Sequence, residues 1–396
     1  MHVCFISSSF EPGRDGVGDY TRDLAASCTA QGWSARLLAL NDPHVVAPLG
    51  ETQMARGIGL QTLRLPASMP WRERISSARD FLEQQPTDWV SLQFVCYGFH
   101  PKGLVIGLER HLMPLIGNLR LQVMLHELWI GASRGAGLRQ QMVGSMQRWA
   151  VRSLIATLRP AVVHTSNSAY LHLVGKAGIR ARILPLCGSI PIIANVDEDW
   201  LEHELVRLGV PSTAAAPAGH WRCGFFGTLP ELWSPEPLFS YLAAAAERTG
   251  RRVAVLSIGR LGPGEALWRD MQSRYGQRFG FARLGERTRE EVSMFLQSID
   301  FGLATTPWQL IGKSASTAAM LDHGLPVIVS RDDVNVGFEG SPSQDPLLRR
   351  IGADLPEWLT QVRRRPPRDR LAAMSTQFIA DLSSHDSQRS VATGPR

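Results

Sequence analysis

Short apolar runs alternate with longer amphipathic stretches along the first half of the chain. The runs have the length of β-strands and are rich in Val, Leu, Ile and Phe. They are Val3–Ser7, Ala35–Leu40, Gln61–Leu65, Trp89–Phe94, Leu121–His126 and Ala161–Thr165. Stretches with helical spacing fall between several of them, namely Tyr20–Gln31, Arg72–Gln85 and Arg139–Leu158. This alternation predicts a parallel sheet that is covered by helices.

The same pattern restarts after an Ala- and Pro-rich segment, Val210–Gly219, whose composition is typical of the end of an interdomain connection. The predicted strands are Arg222–Phe226, Arg252–Ile258, Phe279–Leu284, Asp300–Ala304 and Pro326–Ser330. The predicted helices are Pro235–Thr249, Pro263–Tyr275, Thr288–Ser298 and Ser314–His323. We therefore predict an α/β protein with two Rossmann-like, doubly wound parallel-sheet domains that face each other across a cleft. Ligands are expected beyond the carboxyl ends of the strands.

The length of 396 residues suits two domains. We place the first domain at residues 1–195, an interdomain linker region at 196–221 and the second domain at 222–355. A helical segment at 356–382 follows, and a return of this segment to the first domain is one possible course. The polar end of the chain, residues 383–396, is predicted to be disordered.

Composition narrows the class of protein. With 44% hydrophobic and 20% charged residues, the chain is neither collagen-like nor wholly disordered. The five cysteines form no C-x-x-C pair, so the sequence suggests neither a zinc site nor a disulfide framework. The N-terminus does not resemble a signal peptide, and no apolar run approaches the roughly 20 residues of a membrane-spanning helix. We expect a cytoplasmic protein.

Positive charge is concentrated in the first half. Residues 1–196 contain 19 Lys and Arg against 12 Asp and Glu, whereas residues 197–396 contain 23 against 24. The segment Leu128–Val196 contains no acidic residue at all. This surplus predicts an anionic partner in the first domain. We do not expect a nucleic acid, because no basic surface interleaved with stacking aromatic residues is present.

The segment Arg134–Arg159 is both basic and amphipathic, since it interleaves Met142, Met146 and Trp149 with arginines. It suits a helix that lies peripherally on the inner face of the cell membrane. An ordinary helix that packs its apolar stripe on the sheet is the equally weighted alternative. The arginines of a membrane-facing surface are Arg134, Arg139, Arg148, Arg152 and Arg159.

Candidate chemistry in the first domain lies in two loops. The segment Phe10–Tyr20 contains Gly16 and Gly18 before a helix predicted to begin near Asp19, where backbone amides could receive an anion or a sugar hydroxyl. Asp19 is either an orienting group for an acceptor hydroxyl or the N-cap of that helix. His126 lies at the carboxyl end of a predicted strand, where a ligand contact or a surface hydrogen bond is expected. His164, inside a strand, is expected to be a hydrogen-bonded core histidine.

The second domain contains the more specific signal. Gly227 and Thr228 form a turn after its first strand, and the sequence GKSASTAA follows a later strand and leads into a helix. Lys313 is one of only three lysines beside 39 arginines, and the hydroxyls of Ser314, Ser316 and Thr317 crowd the predicted helix start. A diphosphate would find amides, hydroxyls and an ammonium there. The alternative is a serine N-cap beside a solvent-exposed lysine.

The order of these motifs resembles that of a known family. G-V-G-D-Y after the first strand, H-E after a middle strand, F-F-G-T-L and GKSASTAAMLDHGLPVIVS look like the retaining glycosyltransferases of the GT-B fold, family 4 type. The resemblance runs through residues 1–335. It implies an acceptor domain followed by a domain that binds a nucleotide-sugar donor, transfer with retention, and no metal or cofactor. A saccharide, lipid-linked or small-molecule acceptor is expected.

The resemblance and the local chemistry of the chain together give the expected roles of individual residues. His126, Asp19 and Lys313 are the expected catalytic residues. Donor and phosphate contacts are expected from Gly16, Gly18, Gly227, Thr228, Lys313, Ser314, Ser316 and Thr317. The nucleotide would be bound by Gly259, Arg260, Leu284 and Asp322.

This chain departs from the family at the two glutamates of its E-x7-E signature. They are replaced by Ile311 and Ala319, and the usual Arg and Lys are missing from Leu229–Pro237. We expect Lys313 to supply the missing cation and Asp322 to replace the ribose-binding carboxylate. The alternatives are a catalytically inactive GT-B protein that serves as a binding or scaffold subunit of a glycan-assembly complex, and a nucleotide-sugar epimerase of related fold.

Overall fold

The structure of the protein, a computed structural model, describes residues 1–210 and 219–392, with side chains through residue 385. The predicted Ala- and Pro-rich connection, apart from its two end residues, lies outside the described residues. The chain divides into two compact units. The first contains Met1–Ser189, Val336–Gly340 and the chain from Leu371 onward, and the second contains Ile190–Asn335 and Ser341–Arg370.

The first unit is built on an eight-stranded sheet. Its strands are β1 His2–Ser7, β2 Ser34–Asp42, β3 Leu49–Ala55, β4 Ile58–Pro66, β5 Trp89–Phe94, β6 Arg120–Leu125, β7 Val162–Thr165 and β8 Arg182–Ile183. Its helices are α1 Gly16–Ala30, α2 Trp71–Glu83, α3 Cys96–Phe99, α4 Leu108–Ile116, α5 Leu138–Leu158 and α6 Ser168–Lys176. The strand order is β3-β4-β2-β1-β5-β6-β7-β8, so the chain winds outward in both directions from β1.

The strand β3 is the antiparallel exception in this sheet. It pairs with β4 through a hairpin whose turn residues, Arg56 and Gly57, both have positive φ. Two left-handed turn residues give the turn twist that matches the flanking strands. The other strand pairs of this sheet are parallel, so the predicted parallel sheet is confirmed, with one antiparallel strand added at its edge by the Arg56-Gly57 turn.

The core of the first unit lies between the sheet and helices α1 and α13, where α13 is Leu371–Ala392. Phe378 of α13 is fully buried and stacks on Phe5 of β1 with ring centroids 5.7 Å apart. Leu371, Met374 and Leu382 of the same helix join this core. Their spacing of three to four residues gives α13 one continuous apolar face, and this face holds the end of the chain on the first sheet.

The second unit contains a six-stranded, all-parallel sheet. Its strands are β9 His220–Phe226, β10 Arg252–Ile258, β11 Gly280–Gly285, β12 Phe301–Ala304, β13 Val327–Val329 and β14 Leu348–Arg350. Its helices are α7 Trp200–Arg207, α8 Leu238–Thr249, α9 Glu265–Tyr275, α10 Arg289–Ser298, α11 Ala315–Asp322 and α12 Leu355–Gln361. The order β11-β10-β9-β12-β13-β14 places all the carboxyl ends on one edge.

Two segments differ from the sequence-based expectation. The predicted linker region 196–221 contains α7, whose Leu201 and Leu205 are buried in a core of the second unit. The predicted disordered tail, residues 383–396, is helical in α13 as far as Ala392, and its last four residues lie outside the described residues. In α7, the apolar residues Leu201 and Leu205 are spaced four apart and support a helix that the surrounding acidic residues obscured.

Candidate functional site

The loop after β1 leads into α1, and Asp15 is the residue that starts this helix. Its side chain accepts a hydrogen bond of 2.9 Å from the amide of Val17, and the amide of Gly18 also contributes. The helix therefore begins at Gly16, three residues before the predicted start. Burial raises the pKa of the Asp15 carboxyl. The two glycines of the motif differ, because a Cβ on Gly18 would lie 2.9 Å from the Ser9 carbonyl oxygen, whereas Gly16 faces open space.

Asp19 lies in the first turn of α1 and is not its N-cap. Its carboxylate accepts a hydrogen bond of 3.1 Å from the amide of Gly13 and forms an ion pair with Arg22. The N-cap alternative for Asp19 is wrong, because the side chain of Asp15 occupies that position. Its expected role toward an acceptor hydroxyl stays a prediction.

A buried ion pair anchors this loop from beneath. The side chain of Asp42, at the end of β2, is 0% exposed and accepts from Arg64 Nε at 2.8 Å and from the Phe10 amide at 3.2 Å. Burial favours the neutral acid, but the Arg64 guanidinium and the two amides of His44 and Phe10 outweigh it and lower the pKa of Asp42. Arg64 also pairs with Glu11 of the loop. These contacts fix the backbone of the loop relative to the sheet.

His126 lies directly after β6 and contacts the glycine motif. Its ring packs edge-on against Tyr20, the last residue of G-V-G-D-Y, with centroids 5.0 Å apart. Nε2 lies 2.8 Å from Oε1 of Gln93 on the neighbouring strand β5. Burial lowers the pKa of His126 to about 3, so the ring is neutral at physiological pH. The structure thus brings together two motifs that are about 106 residues apart in the sequence.

His164 is the core histidine that the strand pattern predicts. It is fully buried in β7, and both ring nitrogens have hydrogen-bond partners, Gln122 on β6 and Asp381 on α13.

In the second unit, the loops after β9 and β10 touch. The amide of Gly227 donates to the Ile258 carbonyl oxygen at 2.9 Å, and a Cβ on Gly259 would meet the Cα of Gly227 at 3.4 Å. Both glycines have φ near +90° (88° and 90°), a conformation that glycine adopts at least cost. A methyl group of Thr228 lies against Gly262 in the same way. Gly227, Thr228 and Gly259 therefore share the carboxyl edge of this sheet.

The sequence GKSASTAA follows the carboxyl end of β12. Lys313 ends a 3-10 helix, Trp308–Lys313, and is half-buried. The hydroxyl of Ser314 caps α11 by accepting from the Thr317 amide at 3.2 Å, so the serine N-cap is confirmed. The hydroxyls of Ser316 and Thr317 lie 3.1 and 2.9 Å from the same oxygen. This helix start is capped by neutral hydroxyls.

The four residues expected at the nucleotide have different surroundings. Gly259 is in the loop described above, and the adjacent Arg260 is partly exposed with its guanidinium 3.0 Å from Glu286. Leu284 is buried within β11. Asp322, at the far end of α11, is nearly inaccessible and paired with Arg370. The expectation that Asp322 replaces a ribose carboxylate is therefore corrected, because this buried ion pair already occupies its carboxylate.

Several residues in or next to these loops were not predicted from the sequence. Gln93, the partner of His126, lies in a buried strand, and the signal was the unusual polar alternation Ser91, Gln93 in an otherwise apolar run. In the second unit, Trp233 Nε1 donates to Ser330 at 2.9 Å, and Ser330 donates to the Ala304 carbonyl oxygen at 2.8 Å. This chain ties the loop after β9 to the ends of β12 and β13.

Helix α5 carries an exposed apolar stripe. Leu138, Met142 and Trp149 are 80%, 70% and 57% exposed and recur at intervals of four and seven residues. The opposite side of the helix buries Val151 and Leu154. All five arginines of the predicted basic surface are exposed beside the stripe or near the ends of the helix. The helix thus has two apolar sides, only one of which is buried.

The described part of the chain contains neither a helix suited to span a membrane nor a cluster of metal-binding side chains. Among residues 1–210 and 219–392, no helix has the length and apolar character needed to cross a membrane. Within the same part of the chain, no group of three or more His, Cys, Asp or Glu side chains is arranged to hold a metal ion.

Comparison with solved structures identifies the fold. The HepE protein of Anabaena in complex with UDP and glucose matches with a TM-score of 0.54, at 15% identity, over 97% of this chain and 100% of that chain. The chain has the GT-B fold. The catalytic domain of Arabidopsis thaliana starch synthase IV, bound to ADP and acarbose, matches with a TM-score of 0.56 at 11% identity over 98% and 99%.

A putative UDP-N-acetylglucosamine 2-epimerase of Listeria monocytogenes also matches, with a TM-score of 0.56 at 10% identity over 98% of this chain and 97% of that chain. No protein-family model matches the chain, and no curated protein matches its sequence. At these identities the likeness establishes the fold and leaves the reaction to be argued from the residues.

Proposed function

We propose that this protein is a glycosyltransferase that takes a sugar from a nucleotide-diphosphate donor. The observation that carries the proposal is the start of α11, where Lys313 adjoins a helix capped by neutral hydroxyls beyond the carboxyl end of β12. A helix start with an adjacent ammonium favours an anion such as a diphosphate. The solved structures of similar fold that hold UDP, UDP-glucose or ADP support this choice of ligand.

The finer features follow the resemblance to family 4. We propose transfer with retention of configuration, without a metal or cofactor, because the helix start and Lys313 supply the positive potential that a metal would otherwise provide. The acceptor is a saccharide, a lipid-linked sugar or a small molecule. In this proposal the neutral ring of His126 hydrogen-bonds the transferred sugar, and Gly227 and Thr228 border the phosphates.

Binding of nucleoside diphosphates tests the donor site. We expect titration calorimetry to show that Lys313→Ala weakens binding of UDP or ADP at least about tenfold, which corresponds to about 1.4 kcal/mol. Lys102→Ala, which removes an exposed lysine of the first unit, is the matched control and should bind normally. Equal affinity of Lys313→Ala and the wild type would contradict the phosphate role of Lys313.

The inactive scaffold remains the second candidate, and one observation favours it. Ile311 and Ala319, which replace the two family glutamates, are 2% and 0% exposed, so neither position presents a polar group to a ligand. If neither UDP, ADP nor their sugars bind to the wild type, the scaffold is favoured. Conversion of a nucleotide-sugar without any acceptor would instead favour an epimerase.

We also propose that α5 places the protein on an anionic membrane surface, as a cytoplasmic protein bound to the inner face of the cell membrane. The exposed side chains of Leu138, Met142 and Trp149 supply apolar area, and the adjacent arginines supply charge. Each arginine near an anionic surface contributes about 1 kcal/mol. This combination suits an enzyme whose acceptor is lipid-linked.

Vesicle co-sedimentation tests this surface. The wild type should pellet with vesicles that contain phosphatidylglycerol and remain in solution with pure phosphatidylcholine. Arg148→Glu with Arg152→Glu should weaken binding about tenfold or more, and Met142→Ser with Trp149→Ser should do the same by removing apolar area. Val46→Ser, at a 97% exposed residue that is not part of α5, is the control. Unchanged pelleting of both double variants would contradict the proposal.

A further inference from the structure

Six polar side chains form one continuous hydrogen-bonded chain through the first unit. Its consecutive contacts measure 2.8, 2.7, 2.5, 3.1 and 3.0 Å. Five of its members are at most 7% exposed, and the last, on α13, is 17% exposed. In order, they are His126, Gln93, Ser91, Gln122, His164 and Asp381. The chain runs across β5, β6 and β7 and ends on the helix that closes the sequence.

Polar residues are unexpected at these positions. Strands in the middle of a parallel sheet are buried on both faces and are normally apolar. Buried polar groups cost free energy unless all of them are hydrogen-bonded, and well-packed apolar residues would often be as stable. Stability alone therefore does not explain why six side chains form one fully connected series of hydrogen bonds, and we looked to function for the reason.

The chemistry of the six side chains fixes which group donates and which accepts in each hydrogen bond. An ionised carboxylate only accepts hydrogen bonds. The hydrogen bond from His164 lowers the pKa of Asp381, and Arg182 at 2.6 Å adds to this effect. Nε2 of His164 therefore carries the proton, which leaves Nδ1 to accept from the side-chain amide of Gln122.

The donors and acceptors of the remaining hydrogen bonds, from Gln122 to His126, follow from this assignment. With its NH2 group turned to His164, Gln122 presents Oε1 to the hydroxyl of Ser91, whose oxygen in turn accepts from the amide of Gln93. Oε1 of Gln93 is then left as an acceptor toward His126. Because the neutral His126 ring has one proton, donation from Nε2 leaves Nδ1 as a bare lone pair. Among the described residues, no group hydrogen-bonds to this Nδ1.

We propose that Asp381 is a positioning residue that fixes His126 in the Nε2–H tautomer through this chain. Nδ1 of His126 is thereby kept as a hydrogen-bond acceptor for a hydroxyl of the bound sugar. The second statement rests on the proposed glycosyl transfer, whereas the first does not. Removing the carboxylate removes the direction, because an amide in its place can either accept from or donate to His164.

The tautomer can be measured directly. In ¹⁵N-histidine-labelled protein, the resonances of His126 are assigned by their loss in His126→Gln, and the nitrogen shifts distinguish Nε2–H from Nδ1–H. We expect a preference of about tenfold or more for Nε2–H in the wild type, as one hydrogen bond to a charged group supports. In Asp381→Asn, which keeps the side-chain volume, this ratio should fall toward unity.

Two further variants separate direction from packing. Arg182→Gln removes the other partner of Asp381 but leaves its carboxylate, so the Nε2–H preference should persist. Ser91→Ala breaks the chain in the middle and should lose the preference even with Asp381 intact. An unaltered Nε2–H preference in both Asp381→Asn and Ser91→Ala would overturn the proposal, as would Nδ1–H as the main form of the wild type.

Turnover tests the functional part separately. If half of the Asp381→Asn molecules hold the wrong tautomer, kcat should fall about twofold with KM for the nucleotide-sugar unchanged. An unchanged kcat despite mixed tautomers would overturn the role of Nδ1. If the wild type transfers no sugar at all, glycosyl transfer fails as a function, while the tautomer result still decides the role of Asp381.

Discussion

The helix starts of α1 and α11 lie in different units, and each follows a loop at the carboxyl end of a parallel strand, β1 and β12 respectively. They are capped with opposite chemistry. At α1 the carboxylate of Asp15 already occupies the first amides, and Asp19 lies within the first turn. At α11 the cap is the hydroxyl of Ser314, beside Lys313.

The difference between the two caps indicates which helix start suits an anionic ligand. A helix N-terminus has the equivalent of about half a positive charge, and in the first unit the side chain of Asp15 already accepts from an amide at this end. The second start keeps its positive potential, and Lys313 adds to it. We infer that the glycine motif of the first unit serves as a rigid wall for neutral hydroxyls, held by Asp42 and Arg64, and that the diphosphate belongs to the second unit.

The largest effect is expected from breaking the buried ion pair between Arg64 and Asp42, which holds the loop before α1. Arg64→Leu leaves the buried carboxylate of Asp42 without its cation, which should lower the free energy of unfolding by about 3–5 kcal/mol. Urea denaturation measures this loss. Arg274→Ala, which breaks an exposed pair with Asp270, is the control and should change stability by less than about 0.5 kcal/mol.

The stability of the wild type should also depend on pH through Asp42. Its pKa is lower in the folded state, so its stabilising contribution is present above the unfolded value of about 4 and is lost as the pH falls toward the folded pKa. Arg64→Leu should show less of this loss in acid. If Arg64→Leu is as stable as the wild type, the loop does not depend on the ion pair between Arg64 and Asp42.

The next largest effect is expected at His126. His126→Ala should lower kcat about a hundredfold, the order found when a single positioned hydrogen-bonding group is removed at a reacting centre. Affinity for the nucleotide should stay within about twofold, because the diphosphate is assigned to the other helix start. His44→Ala, at an exposed histidine, is the control. An unchanged kcat would remove His126 from the site.

Exchanging the cap chemistry of the second start tests the comparison most directly. Ser314→Asp keeps a capping oxygen but places a negative charge where the diphosphate is expected, so UDP affinity should fall about tenfold or more. Ser314→Asn, an equally good cap without charge, should retain stability and most of the affinity. Calorimetry measures both variants, and equal UDP binding by the two would contradict the assignment.

The smallest effect is expected from replacing the carboxylate cap of α1 by a neutral amide. Asp15→Asn keeps the cap of α1, so stability at neutral pH should change by no more than about 0.5 kcal/mol and UDP affinity should not change. Burial raises the pKa of Asp15, so the folded state holds its proton above about pH 4 and wild-type stability falls as the pH rises through that raised pKa. Denaturation across this pH range should show that the variant lacks this fall.

Much of the fold could be predicted from the chain alone. The predicted strands Trp89–Phe94 and Arg252–Ile258 match the observed bounds, because buried parallel strands are long apolar runs with clear ends. The hairpin strand β3 was missed because its residues are mostly exposed, so no apolar run marks it. Helix α7 was missed because its buried residues lie in a stretch rich in acidic residues.

The candidate site could be predicted only in part. The glycine motifs, His126 and Lys313 stand out as candidates in the sequence because loops after parallel strands carry chemistry. Their partners were not, since Gln93 and Asp381 meet the two histidines from other strands and from the far end of the chain. The assignment of Asp322 failed for the same reason, because helical spacing placed it on a suitable face without revealing Arg370.

Local sequence patterns account for the alternation of strands and helices, the two glycine loops, the hydroxyl-rich start of α11 and the basic character of α5. Each of these is a local pattern that periodicity, backbone conformation or charge can express over a few residues. The folded chain is needed to show which helix start is already occupied by a carboxylate, which side of α5 is left exposed and which groups surround His126. These properties depend on side chains brought together from distant segments, and burial then sets their pKa values and hydrogen-bond directions.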